Sequence, residues 1–165
     1  MEKKGRIKAG EGPLIGNAGE HYVMAELLKR GIIAALAPRN APSFDILATK
    51  GDRTVRIRVK TKSAQYPDWQ WMIKKDGAIF RNVSAEADFS ILVDLTTETK
   101  DMKFYVVPTH LIDTWLRQSF DGWVRTPGKN NRPHDEANKK RNLNQKAYKT
   151  ELQTYLNRWE ELGLE

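Results

Sequence analysis

One stretch of strict alternation, residues 54–62, constrains the fold more than any other part of the sequence. Its order is Thr54, Val55, Arg56, Ile57, Arg58, Val59, Lys60, Thr61 and Lys62. Successive side chains of a strand point to opposite faces, so this period of two predicts a β-strand with an apolar face and a cationic face. Taken singly, four cations on one face favour an exposed edge strand that resists aggregation.

The rest of the chain predicts a run of strands with helices before and after it. Helices are expected at residues 17–30, ended by Gly31, and from Thr109 to about Arg117. Strands are expected at residues 32–37, 44–49, 54–62, 70–73, 89–95 and 103–107. This order indicates an α/β fold with a mixed central sheet flanked by helices.

The two ends of the chain differ from this regular middle part. Residues 1–14 hold three Gly and one Pro and predict a flexible N-terminal arm, which leaves residues 15–165 as a single domain. Residues at about 120–144 are rich in Gly, Pro, Asn and charge and predict a long basic loop. A C-terminal helix follows from the apolar stripe Tyr148, Leu152, Tyr155, Trp159 and Leu162.

Composition excludes several classes of function. The 165-residue chain has no Cys, which excludes a disulfide framework, thiolate zinc sites and Cys nucleophiles and fits a reducing cytoplasm. No apolar stretch approaches the ~20 residues of a membrane helix, and the basic N-terminus lacks the apolar region of a secretory signal. The glycine-rich phosphate-binding motifs of nucleotide-driven enzymes are also missing from the sequence.

The excess of positive charge is concentrated near the C-terminus. The net charge is +7, and residues 124–149 hold eight Lys and Arg against two acidic residues. Such a cluster is typical of a phosphate-binding surface, although a solvated loop is the plainer interpretation. The candidate nucleic-acid contacts are Lys139, Lys140 and Arg141 in this segment, with Lys62, Trp69 and Trp71 beside the alternating strand. The two tryptophans could stack on bases or belong to the core.

Two carboxylates stand where apolar side chains are expected. Glu20 shares a helix face with Val23 and Leu27, and a buried carboxylate is costly unless it is paired or binds a metal. Asp45 lies inside the apolar segment Phe-Asp-Ile-Leu, although Asp is disfavoured in strands. The alternatives are that Glu20 reaches solvent and that Asp45 closes the preceding turn through a local hydrogen bond.

Taken together, these residues resemble the PD-(D/E)xK nuclease superfamily, in particular its Holliday-junction-resolvase-like and restriction-endonuclease-like branches. The motifs that carry the resemblance are Gly16-Asn-Ala-Gly-Glu20, Ser43-Phe-Asp45 and Arg56-Ile-Arg-Val-Lys60-Thr61. They cover, together with a strand that precedes a helix at Pro108, roughly residues 15–108. The resemblance implies a restriction-endonuclease-like fold and metal-dependent cleavage of DNA.

The resemblance also implies a role for each residue of these motifs. Asp45 and the Val59 carbonyl would bind Mg²⁺, Glu20 would add a carboxylate from the helix, and Lys60 would be the catalytic lysine. The chain departs from the family pattern at Arg58, which occupies the position of the acidic metal ligand. Arg cannot bind a metal, and we expect it to pair with Asp45 or Glu20 and to weaken Mg²⁺ binding.

The function expected from the sequence is that of a DNA-acting protein, a metal-dependent endonuclease with an atypical motif. One alternative is a non-catalytic nucleic-acid-binding module on a nuclease fold, in which Arg58 and the basic loop bind phosphate. Another is a protein that binds an acidic protein partner through its positive charge. DNA is the expected partner, no membrane is involved, and a homodimer is compatible with this expectation.

Overall fold

The structure is a computed structural model that describes residues 11–41 and 43–164. Three helices, α1 to α3, span Glu11–Lys29, Thr109–Arg125 and Lys149–Thr154. Seven strands, β1 to β7, span Ile33–Leu36, Ile46–Lys50, Arg53–Ser63, Asp68–Met72, Asp88–Leu95, Lys103–Pro108 and Lys140–Asn144. None of the helices in these residues has the length and apolar character that a membrane crossing needs.

Five of the strands form a mixed central sheet in the order β1-β2-β3-β5-β6. Strand β3 pairs antiparallel with β2 and parallel with β5, and the other neighbours pair antiparallel. The predicted α/β fold with a mixed sheet flanked by helices is therefore confirmed. The alternating strand is the middle strand of this sheet, which corrects the interpretation that its cations protect an exposed edge.

Each face of the sheet carries its own apolar cluster. The apolar face of β3 packs under α1, where Val23 and Leu27 meet Ile57 in the same cluster as Trp159 from the C-terminal segment. The opposite face packs against α2 and a two-stranded sheet of β4 and β7, called here the β4–β7 ribbon. Its cluster is built around Trp69, Leu92, Ile112, Leu116 and Leu143. The cationic face of β3 therefore lies beneath a second layer of structure.

Several predicted boundaries are corrected. Residues 11–14 belong to α1 rather than to an N-terminal arm, and residues 1–10 of that predicted arm lie outside the described residues. Helix α2 continues to Arg125, and β7 begins at Lys140, so the predicted basic loop is shorter than expected at both ends.

The predicted C-terminal helix is interrupted. Helix α3 ends at Thr154, and a short 3-10 helix follows at Trp159–Leu162, with Asn157 at a φ of 54° between them. The connecting backbone pairs with β6 instead of continuing the helix. The Val106 N–H donates to the Tyr155 carbonyl at 3.0 Å, and the Asn157 N–H donates to the Phe104 carbonyl at 2.7 Å. These bonds satisfy an edge strand that would otherwise be unpaired.

Candidate active site

Glu20 is brought to the sheet by an unusually close approach of α1 to β3. At the preceding residue, Gly19, an added Cβ would lie 1.8 Å from the Thr61 hydroxyl oxygen. Only glycine allows the helix backbone to come this near. The close approach places Glu20 at the start of β2, beside Asp45, and both residues line one cavity of about 420 Å³.

Asp45 immediately precedes β2 and is tied to β3 by two hydrogen bonds. Its backbone N–H donates to the Ile57 carbonyl at 2.9 Å, and its carboxylate Oδ2 accepts the Val59 N–H at 2.7 Å. The carboxylate is thus held across the sheet, and the alternative that it closes the preceding turn is corrected. A strand residue directs its N–H and C=O to the same side, so the Val59 carbonyl also faces the side on which Asp45 lies.

The two carboxylates lie in an environment that disfavours their charged forms. Burial, and then the charge of Asp45, raise the pKa of Glu20 above its usual range. Burial also raises the pKa of Asp45, although the Val59 N–H and the charges of Arg58 and Lys60 oppose the rise. A pair of this kind is stabilised by an added cation.

Lys60 approaches Asp45 from the cationic face of β3. Burial lowers the pKa of Lys60, and the carboxylate of Asp45 acts in the opposite direction. The Lys60 ammonium lies 5.4 Å from the centre of the Trp71 ring, a cation–π contact. Both side chains line a second cavity, of about 240 Å³, that also contains Asp45 and Arg58. Asp45 thus stands between the cavity that holds Glu20 and the one that holds Lys60.

Arg58 pairs with Asp88 rather than with Asp45 or Glu20, which corrects the partner expected from the sequence. Its Nη1 donates to Asp88 Oδ1 at 2.6 Å, and Arg56 Nη2 donates to Asp88 Oδ2 at 2.5 Å. The side chain of Asp88 is fully buried. Burial acts to raise the pKa of Asp88, but these bonds and the Ser84 N–H hold it below its usual range. Arg58 is therefore fixed by a carboxylate outside the candidate site.

The residues present fit one divalent cation. Mg²⁺ is commonly held by one or two carboxylates, with water and substrate phosphates completing its six oxygens. Asp45, Glu20 and the Val59 carbonyl would be such a set. Across residues 11–41 and 43–164, no group of three His, Cys, Asp or Glu side chains could hold a metal by itself. A cation held by Asp45 and Glu20 would therefore need further oxygens from water or substrate.

Two of the expected nucleic-acid contacts are core residues. Trp69 is 1% exposed and donates its indole N–H to the Val93 carbonyl at 3.1 Å. Lys62 is 4% exposed and donates to Asp94 at 2.8 Å. Neither offers a surface to a nucleic acid, which corrects both expectations. Trp71 is partly buried in the wall of the Lys60 cavity, with its ring edge-on to Phe80.

The three C-terminal candidates lie at the start of β7 or just before it. Lys139 and Lys140 are exposed, whereas Arg141 is partly buried with its guanidinium 3.4 Å from the centre of the Phe120 ring. Sequence reasoning missed Asp88 as the partner of Arg58. The available signal was an acidic residue at the start of an apolar strand, which is the feature that singled out Asp45.

Comparison with known proteins gives structural neighbours only. No protein-family model matches the chain, and no curated protein matches it in sequence. The chain is similar in structure to Hjc from Archaeoglobus fulgidus, a Holliday junction resolvase, with 16% identity, a TM-score of 0.45 and coverage of 81% of this chain and 87% of that one. It is also similar to the bacterial homing endonuclease I-Ssp6803I, with 17% identity, a TM-score of 0.41 and coverage of 87% and 92%. The likeness to a resolvase and an endonuclease agrees with the resemblance expected from the sequence, and it concerns the fold alone.

Proposed function

We propose that the protein is a nuclease that hydrolyses phosphodiester bonds in DNA with the help of a divalent cation. The observation that carries the proposal is the meeting of Glu20, Asp45 and Lys60 from three elements, α1, the start of β2 and β3. Two carboxylates beside a lysine, within cavities open to the surface, are suited to binding a cation and a phosphate together.

Each residue has a distinct task in this proposal. Asp45, Glu20 and the Val59 carbonyl would hold the cation, which supplies a Lewis acid for the phosphate and lowers the pKa of a water molecule. The bond from the Val59 N–H orients the Asp45 carboxylate through Oδ2 and would leave the other oxygen for the cation. Lys60, confined by Trp71, would donate to a phosphate oxygen and offset the negative charge that develops during attack.

The second candidate function is DNA binding without cleavage. It is favoured by Arg58, whose guanidinium stands in the second cavity where the family pattern has a metal ligand. The charge of Arg58 opposes the rise in the pKa of Asp45. Arg58 therefore still acts on the site, although its hydrogen bonds go to Asp88. In this alternative, Arg58 and Lys60 bind a phosphate and no bond is broken.

The test is cleavage of linear and branched DNA with Mg²⁺, with Mn²⁺ and with EDTA, beside a binding measurement in EDTA. Asp45→Asn should reduce cleavage at least a hundredfold, because the amide cannot supply the negative charge that holds the cation. Binding in EDTA should survive the substitution. Asp52→Asn, in the exposed turn between β2 and β3, is the matched control and should cleave like the wild type.

The outcomes separate the candidates. Binding without cleavage under every metal condition would establish the second candidate. Equal cleavage by wild type and Asp45→Asn would overturn the proposed site. An absence of DNA binding at low salt would leave the acidic protein partner as the remaining alternative, because the electrostatic part of DNA binding is strongest there.

A further inference from the structure

The β4–β7 ribbon has one buried face and one exposed face. Trp69 and Leu143, directly opposite each other in the two strands, are 1% and 0% exposed and fill the core. The alternate positions point outward and are exposed. They are Gln70, Met72, Lys140 and Asn142.

The exposed side chains form two cross-strand pairs. Gln70 lies opposite Asn142, and its Nε2 donates to the Asn142 Oδ1 at 3.1 Å. Met72 lies opposite Lys140 and is 56% exposed. This hydrogen bond uses one donor of the Gln70 side chain and the acceptor of the Asn142 side chain. The Gln70 carbonyl and the Asn142 amino group therefore remain on the open face as a matched acceptor and donor.

The ribbon borders the candidate active site. Trp71, between Gln70 and Met72, points the other way and lines the cavity that contains Asp45 and Lys60. Lys74, two residues beyond Met72, lines the same cavity. The Ile73 N–H donates to the Lys139 carbonyl at 2.9 Å, so Lys139 and Lys140 are fixed at this end of the ribbon. A polyanion that leaves the cavity along the ribbon would pass beside Lys74, Lys139 and Lys140.

We propose that the exposed face of the β4–β7 ribbon enters the major groove of duplex DNA and reads base edges beside the cleavage site. The proposal rests on the proposed function. A two-stranded ribbon fits the major groove, which is ~12 Å wide. Five residues of each strand span about 17 Å, enough for several base pairs.

The exposed side chains match the groups that the major groove presents. A side-chain amide can donate to adenine N7 and accept from the adenine amino group, and a lysine can donate to guanine N7 and O6. The apolar Met72 suits a thymine methyl group. Duplex RNA is a poor alternative, because its major groove is deep and too narrow for a ribbon. The simpler interpretation is that the amide pair only stabilises the ribbon, and the experiment must separate these roles.

The experiment measures binding of the full chain in EDTA to one set of duplexes. The wild-type protein first selects the duplexes that it binds best from a pool with random central base pairs. The selected sequence is then synthesised a second time with 7-deazapurines, which lack the N7 acceptor. Wild type should bind the 7-deaza duplex about tenfold more weakly, the effect expected for losing one good base contact. The variant Gln70→Ala with Asn142→Ala should bind both duplexes alike. Its thermal unfolding, recorded in parallel, reports any loss of the ribbon.

The controls distinguish base reading from phosphate contact. Gln153→Ala removes an exposed amide from α3 and should behave like the wild type. Lys139→Ala, at an exposed lysine beside the ribbon, should weaken binding to both duplexes equally and lower the salt dependence, as for a phosphate contact. Equal wild-type binding to normal and 7-deaza duplexes, or enrichment of no sequence, would overturn the ribbon proposal while leaving DNA cleavage intact. Failure of the wild type to bind any DNA would overturn the proposed function as well.

Discussion

Asp45, which is partly buried, and Asp88, which is fully buried, face neighbouring cations of one strand, yet their environments act in opposite directions. Asp88 accepts hydrogen bonds from Arg56, Arg58 and the Ser84 N–H, and its pKa lies below the usual range. Asp45 accepts one from the Val59 N–H, and its pKa lies above that range. Asp88 is therefore satisfied by the protein itself, whereas Asp45 lacks charge compensation that a ligand could supply.

The difference separates structural carboxylates from those available for chemistry. Carboxyl groups in clefts whose pKa is perturbed are candidates for function, because functional sites are where such pKa shifts are concentrated. A carboxylate with two guanidinium partners gains nothing from a further cation. A partly buried carboxylate beside Glu20 gains from one, and Lys60 neutralises only one of the two negative charges. The contrast favours Asp45, and not Asp88, as the centre of the candidate site.

The largest expected effect is on stability, from Asp88→Asn. The substitution leaves two guanidinium groups without their shared carboxylate, and removing one partner of a buried ion pair costs about 3 kcal/mol or more. Asp45→Asn is the matched comparison and should leave the free energy of unfolding unchanged or higher at pH 7, since the amide can still accept from Val59. Urea unfolding of both variants measures the difference. Equal destabilisation by the two substitutions would remove the distinction between the carboxylates.

The second effect concerns the helix that carries Glu20. Gly19→Ala forces a methyl group against the Thr61 side chain, and overpacking of this kind typically costs about 1–3 kcal/mol. Gly16→Ala is the matched control in the same helix, where an added Cβ meets no atom within 4 Å. It should stabilise by about 0.5–1 kcal/mol because alanine favours helices. Thermal unfolding measures both, and cleavage should fall only in Gly19→Ala, which displaces Glu20.

The sequence predicted the elements of the Asp45 site because their signals are local. The alternation of β3, the turn after α1 and the misplaced carboxylates can each be recognised within about ten residues. Asp88 could not be matched to Arg58 in this way, since their contact depends on the parallel pairing of β3 with β5, 30 residues apart. The register of two parallel strands is set by the crossover and the packing between them.

The structure of the C-terminal region also depends on contacts between residues that are far apart in the sequence. The 3.6-residue periodicity predicted one helix, but pairing with β6 breaks it near Asn157. Strand β7 was missed because Lys and Asn are uncommon in strands, and its conformation depends on β4, about 70 residues earlier. The burial of Trp69 and Lys62, both candidate nucleic-acid contacts, could not be predicted for a related reason. The sequence does not show that the ribbon covers the cationic face of β3.

A smaller effect is expected on metal affinity, from Arg58→Gln. Removing this charge should raise the affinity for Mn²⁺ in the absence of DNA about tenfold, a modest part of what one nearby charge can contribute at a surface-like dielectric. Arg56→Gln is the matched control, because Arg56 also pairs with Asp88. Of the two arginines, Arg58 is the one whose charge opposes the rise in the pKa of Asp45. Isothermal titration of both variants compares them. Equal Mn²⁺ affinities would show that Arg58 does not act on the site.

The smallest effect is the pH dependence of stability, in which the two carboxylates should have opposite signs. The pKa of Asp88 is lowered, so its stabilisation is complete above the unfolded value of about 3.9 and is lost as the pH falls below it. The penalty from Asp88→Asn should therefore shrink below pH 4.

The pKa of Asp45 is raised, so its ionisation costs stability as the pH rises above about 3.9 toward the folded value. Asp45→Asn should match the wild type near pH 3 and become relatively more stable toward pH 7. Urea unfolding at several pH values measures both differences, and parallel pH profiles for the two variants would contradict the opposite environments of Asp45 and Asp88.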